Sequence, residues 1–176
     1  MTTVHDLTFE PFLTAEQIRV RVRELGEELT QKYAHKNPIL LGVLNGAFVF
    51  MADLVRACDM TCEISFVKLH SYVGTSSSKT ITTALGLELE VRNRHIIVVE
   101  DIVDSGRTMQ YFLELLQQNE PASVALVTLL FKPDALQVKL PIDCVGFTIP
   151  NHFVIGYGLD YDGLGRNLPD ILRLKS

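Results

Sequence analysis

From His95 to Val99 every residue after the histidine is apolar and β-branched, Ile-Ile-Val-Val, and the run passes directly into two acids, Glu100 and Asp101. A strand that alternates apolar and polar residues can leave one face in water. A strand that is apolar on both faces must be covered on both, which calls for a parallel sheet flanked by helices. The rest of the chain supplies the partners. Ile39–Leu44, Thr61–Leu69, Ser123–Phe131, Cys144–Ile149 and Phe153–Tyr157 read as further strands, and Ala47–Cys58 and Met109–Gln118 read as helices. Thr14–His35 carries Ile18, Val22, Leu25, Leu29 and Tyr33 on one stripe, with Thr14 and Gln17 spaced as a capping box. Strand and helix alternate without a repeat, so the expected class is α/β: a central, largely parallel sheet in one domain over residues 1–176.

Composition narrows the function. With 16 Lys and Arg against 21 Asp and Glu the net charge is −5, which argues against broad nucleic-acid binding, so an anionic ligand must be held locally. Cys58, Cys62 and Cys144 are too few and too unevenly spaced for a disulfide framework or a zinc site and read as reduced core residues. Residues 1–12 are polar, without the basic start and apolar run of a secretory signal, and no later stretch approaches a membrane span, so a cytoplasmic address is expected.

Ligands of an open parallel sheet bind beyond the carboxyl ends of its strands. Glu100-Asp101-Ile-Val-Asp104-Ser105-Gly106-Arg107-Thr108 lies there. Gly106 permits an unusual turn, and the backbone N–H groups from Ser105 to Thr108, with the hydroxyls of Ser105 and Thr108, suit a phosphate. Two adjacent carboxylates are costly to bury unless sugar hydroxyls or a magnesium shell satisfy them. Neither a Walker loop nor a Rossmann glycine triplet is present. The plainer alternative is that Asp104 or Ser105 caps the helix while Glu100 and Asp101 end an exposed strand. The polar stretch His70–Thr83 is long for a structureless connection, which points to a functional loop.

Val98–Thr108 resembles the phosphoribosyl pyrophosphate motif of the phosphoribosyltransferases: hydrophobic residues, two acids, two hydrophobic residues, Asp, then a small-residue turn with Thr. Other segments resemble the hypoxanthine-guanine branch of that family, in the same order along the chain. Leu44-Asn45-Gly46-Ala47-Phe48, followed by Phe50-Met51-Ala52-Asp53-Leu54, resembles the pyrophosphate loop, which in this family often has a non-proline cis peptide between its first two residues. It departs from the pattern at Asn45, where many relatives carry Lys or Arg, so a cationic contact there is not carried over. Lys68-Leu69-His70-Ser71-Tyr72 resembles the start of the mobile catalytic loop. Leu129-Leu130-Phe131-Lys132 resembles the segment that reads the purine 6-oxo group, His152–Tyr161 resembles the base-binding strand, and Arg166-Asn167-Leu168-Pro169 fits the bacterial-type ending.

The resemblance implies the type I phosphoribosyltransferase fold, with a small hood from the C-terminal segment, and transfer of hypoxanthine, with guanine as a second candidate, to the ribose of phosphoribosyl pyrophosphate. Glu100 and Asp101 would bind the ribose hydroxyls, directly or through Mg2+, and Ser105, Gly106, Arg107 and Thr108 the 5′-phosphate. Asp104 would be the general base. Lys132, Phe153, Val154 and Asp160 would line the base, and Leu44, Asn45, Gly46 and Arg166 the pyrophosphate. Ser71 and Tyr72 would close over the centre, and Asp160 would hold a second magnesium ion. A homodimer or homotetramer is expected. Competing readings are an RNA-binding regulator on the same fold, which would need a basic face, and a transferase directed at xanthine or a pyrimidine.

Overall fold

The computed structural model describes residues 1–69 and 88–175. In chain order its elements are β1 (Thr2–Val4), β2 (Leu7–Leu13), α1 (Ala15–Tyr33), β3 (Ile39–Leu44), α2 (Phe48–Ala57), β4 (Glu63–Lys68), β5 (His95–Val103), α3 (Arg107–Gln117), β6 (Ser123–Phe131), a 3-10 turn (Pro133–Ala135), β7 (Cys144–Thr148), β8 (Val154–Ile155) and β9 (Ile171–Leu174). Thr14 caps α1 as its spacing predicts: its hydroxyl accepts from Gln17 N and the Gln17 side chain accepts from Thr14 N at 2.9 Å.

Five strands form one sheet in the order β4-β3-β5-β6-β7, with every pairing parallel. Successive residues of β3 and β5 go to opposite cores. Leu40, Ile97 and Val99 pack with Ile18, Val22, Leu25 and Leu29 of α1 and Phe50 and Leu54 of α2. Ile39, Leu41, Ile96 and Val98 pack with Met109, Phe112 and Leu116 of α3. Two covered faces are why these strands are apolar at every position, and each such side chain removed from water stabilises the fold by about 1.5–3 kcal/mol. After β3 the chain places β4 on one side and β5 on the other, so the strand order reverses between β3 and β5. The carboxyl ends of that pair open onto the crevice where such sheets bind ligands.

The second sheet, β1-β2-β9-β8, is antiparallel throughout and forms the hood. It corrects two expectations. The C-terminal segment supplies only β8 and β9, while residues 2–4 and 7–13, read as a polar lead-in, supply β1 and β2. The strand expected at 153–157 is reduced to Val154–Ile155 and belongs to this sheet. Phe9, Ile155 and Leu172 make a small core of their own here, which stabilises strands too short to show a clear period.

Candidate active site at the carboxyl edge of the parallel sheet

β5 does not stop at its acids. It continues to Val103 because Glu100, Ile102 and Val103 remain level with Thr128, Leu130 and Phe131 of β6. The two carboxylates are therefore held inside the sheet edge and not at an exposed strand end. Glu100 Oε2 is buried without a hydrogen-bond partner among the described residues. Burial, and then the charge of Asp101, push the Glu100 carboxyl well above the usual range. Burial likewise pushes Asp101 up to about 6, against the opposing pull of the Ile102 N–H, which donates to Asp101 Oδ1 at 2.8 Å, and of Arg166.

Beyond the acids, the parallel partner strand sets the next contact. Lys132 N donates to Val103 O at 3.0 Å, which brings the Lys132 side chain over the turn. Its Nζ lies 3.0 Å from Asp104 Oδ2, with the lysine side chain 7% exposed and the aspartate 53%. Gly106 then takes a φ of 76° and α3 begins at Arg107, with no side-chain cap on its first turn. Asp104 and Ser105 thus do not cap the helix, and its leading N–H groups stay free for an anion. A cavity of about 270 Å³ opens here, lined by Leu44, Glu100, Asp104, Ser105, Gly106 and Thr108 among others. Thr108 is exposed where it lines the cavity, and Arg107, also exposed, precedes it on the first turn of α3.

On the other flank, the Leu44–Asn45 peptide is cis. Gly46 follows, and the absence of a Cβ matters: one built there would overlap the Asp101 carboxylate. Gly158, at φ 101°, likewise leaves no room for a Cβ against the Gly46 carbonyl oxygen. Arg166 fastens this assembly, with Nη1 donating to Gly158 O at 2.6 Å and Nη2 paired with Asp160 Oδ1 at 2.6 Å, while Gly163 N donates to Asp160 Oδ2 at 2.7 Å. The loop after β3, Asp101, Asp160 and Arg166 therefore converge although 122 positions separate Leu44 from Arg166.

The residues expected around the base divide between the two sheets. Lys132 meets Asp104 at the end of β6. Phe153 and Val154 stand in the hood, Val154 buried and level with Arg173, and Phe153 42% exposed with its ring 6.0 Å from Phe9 and 5.7 Å from Tyr161. Asp160 sits with Arg166, on the pyrophosphate side. Ser71 and Tyr72 lie outside the described residues.

Glu100, Asp101 and Asp160, expected as metal ligands, do not make a closed metal cage: no group of three or more His, Cys, Asp or Glu among the described residues is placed to hold an ion. Asp160, expected at a second ion, is paired through Oδ1 with Arg166. The adjacent pair Glu100 and Asp101 still suits magnesium, which is commonly bound by one or two carboxylates with the remaining positions left to water and substrate oxygens. The unpartnered Glu100 oxygen fits that demand. Two residues that lie within the matched segments but were given no role, Tyr157 and Asp53, meet beside this region, their side chains at 2.6 Å. The resemblance covers their positions but does not pair them, and the local signal is a tyrosine between two glycines, Gly156 and Gly158.

The family model of the phosphoribosyl transferase domain matches residues 11–162. The bifunctional protein TilS/HprT of Listeria monocytogenes is 42% identical over 174 residues, 98% of this chain, which spans 27% of that protein's length. The hypoxanthine-guanine phosphoribosyltransferase of Bacillus subtilis is 42% identical over 172 residues, covering 97% of this chain and 95% of that protein. Among solved structures, a hypoxanthine phosphoribosyltransferase from Staphylococcus aureus superposes with a TM-score of 0.86 at 39% identity, over 97% of this chain and 92% of the other.

Proposed function

The chain belongs to the phosphoribosyl transferase family, and on that premise we propose that it is a purine-salvage enzyme, joining hypoxanthine, and also guanine, to phosphoribosyl pyrophosphate to give IMP or GMP and pyrophosphate. The observation that carries the reading is the meeting of Lys132 and Asp104 at 3.0 Å beside an uncapped helix start and a buried acid pair. A donor for a 6-oxo oxygen, a proton acceptor, a phosphate cradle and a pair of ribose ligands then share one edge.

In the reaction pyrophosphate leaves the ribose C1, positive charge develops there, and a purine ring nitrogen captures it. Glu100 and Asp101 fix the ribose hydroxyls, and their charge suits the cationic centre. Ser105, Gly106, Arg107 and Thr108 cradle the 5′-phosphate. Arg166, with the backbone of Leu44, Asn45 and Gly46, takes the charge that builds on the leaving group. Asp104 accepts the proton from the purine N7. Lys132 donates to the 6-oxo oxygen, Phe153 stacks on the ring, and the Val154 backbone reads its edge. Magnesium, held through Glu100 and Asp101 and through Asp160, would supply further neutralisation of the diphosphate when bound.

The same proposal includes a single working unit, a cytoplasmic address and assembly into homodimers or homotetramers. Among the described residues no helix is long and apolar enough to cross a membrane. The test is the purified chain with phosphoribosyl pyrophosphate, magnesium chloride and a panel of hypoxanthine, guanine, xanthine and adenine. Consumption of hypoxanthine is expected first. Failure to consume any 6-oxopurine, with the protein folded, would sink the proposal.

A further inference from the structure

Tyr157 is buried, 7% exposed, and its hydroxyl donates to Asp53 Oδ2 at 2.6 Å. Its backbone is left-handed, with a φ of 49°, between Gly156 at 97° and Gly158 at 101°. Glycine adopts such angles freely, whereas a residue with a bulky side chain holds them only where its surroundings compensate. The backbone bonds of this segment, Tyr157 N to Leu168 O and Gly158 N to Arg166 O, tie it to the C-terminal segment. The ring shares a buried core with Phe50 and Leu54 of α2, the helix that follows the loop after β3, and the hydroxyl adds the hydrogen bond to that helix. Asp53 is held in turn by Arg56 one turn further on.

What this bond fixes is the next residue. Gly158 rests on the Gly46 carbonyl, Gly46 rests on the Asp101 carboxylate, and Arg166 donates to Gly158 O at 2.6 Å. A small rotation at Tyr157 would therefore part the two halves of the pyrophosphate side. Burial, and then the hydrogen bond to Asp53, push the Tyr157 hydroxyl upward in pKa, so it remains a donor at neutral pH.

We propose that Tyr157, through its bond to Asp53, is a positioning residue for the diphosphate, holding the Gly158–Arg166 arm against the Gly46 loop before substrate arrives. The inference rests on the reading of this edge as a phosphoribosyl transfer site. If the arm is not pre-set, ordering it becomes part of the cost of binding the diphosphate, while the base, held at Lys132, is unaffected.

The test uses the full chain as wild type, Tyr157→Phe, Asp53→Ala and Asp53→Asn. Two quantities are read: steady-state kinetics in hypoxanthine and phosphoribosyl pyrophosphate, and calorimetric titration of magnesium pyrophosphate. Tyr157→Phe removes one oxygen atom and is expected to raise KM for phosphoribosyl pyrophosphate about tenfold, equivalent to about 1.4 kcal/mol, and to weaken magnesium pyrophosphate by the same factor. Asp53→Ala is expected to match it. KM for hypoxanthine and kcat should stay within about twofold, since those report other contacts. Asp53→Asn keeps an oxygen acceptor and should behave as wild type. An unchanged pyrophosphate affinity in Tyr157→Phe overturns the inference. So does an equal loss for base and diphosphate together with a lowered Tm, which would make the bond merely structural. If the wild type transfers no base at all, the functional reading falls, and the pyrophosphate titration still decides the positioning role.

Discussion

Replacing Lys132 with Met separates the chemistry of the base site from the stability of the fold. The lysine is 7% exposed, so its stem is part of the packing, and Met preserves most of that volume while removing the charge. Its partner Asp104 is 53% exposed, so the carboxylate left behind is solvated by water, and the lost pair costs no more than about 1 kcal/mol. For a chain of this length that is a Tm shift of about 2–4 °C. The effect on catalysis is larger. A hydrogen bond from a charged donor to the 6-oxo oxygen is worth about 1.5–3 kcal/mol, so kcat/KM for hypoxanthine should fall by about 10- to 150-fold. Adenine presents an amino group at the same position and gains nothing from the ammonium, so its kcat/KM should not fall. A wild-type preference for hypoxanthine of about 10³-fold should shrink to between about 7- and 100-fold. The assay is kcat/KM for both bases in wild type and Lys132→Met, with thermal unfolding alongside. A folded mutant with an unchanged hypoxanthine-to-adenine ratio would show that Lys132 serves only Asp104, and the proposed pocket would be in the wrong place.

Asp104→Asn should lower kcat by about 10²-fold or more with KM for both substrates retained, measured in the same steady-state assay. Gly46→Ala places a methyl group into the Asp101 carboxylate, and should abolish detectable transfer while far-UV circular dichroism keeps its α/β shape. Thr14→Ala removes the capping box of α1, which should cost about 1 kcal/mol and lower Tm by about 2–4 °C by calorimetry, with kcat unchanged.

The parallel sheet was legible because its signal is local. Ile39–Leu44 and Ser123–Phe131 occur as predicted, since burial on both faces writes a continuous apolar run into one stretch of sequence. The end of β5 was less so: Glu100 and Asp101 look like a strand terminus, but backbone pairing to β6 carries the strand past them whatever their side chains. The hood strands gave little warning. Thr2–Val4 and Leu7–Leu13 are short, and β2, beyond its hairpin with β1, finds its second partner in Ile171–Leu174, more than 150 positions away, so no one window of sequence contains both. The site divides in the same way. Glu100 to Thr108 forms one motif, whereas the close approach of Gly46, Gly158 and Asp101 and the bond from Tyr157 to Asp53 arise only when distant loops meet.

The placement of β9 between β2 and β8 also orders events during synthesis. The five parallel strands are complete once Thr148 has left the ribosome, but the edge of β2 from Phe9 to Leu13 waits for Ile171–Leu174, which emerge later. Until then Phe9 lacks Leu172, and an unpaired strand edge is available to the wrong neighbour. The sheet that leads into Glu100 to Thr108 can thus mature on the nascent chain, while the strand beside Phe153 docks only once Leu174 has emerged. The timing of the first competent pocket is set by the emergence of β9, whatever the folding rate of the parallel sheet.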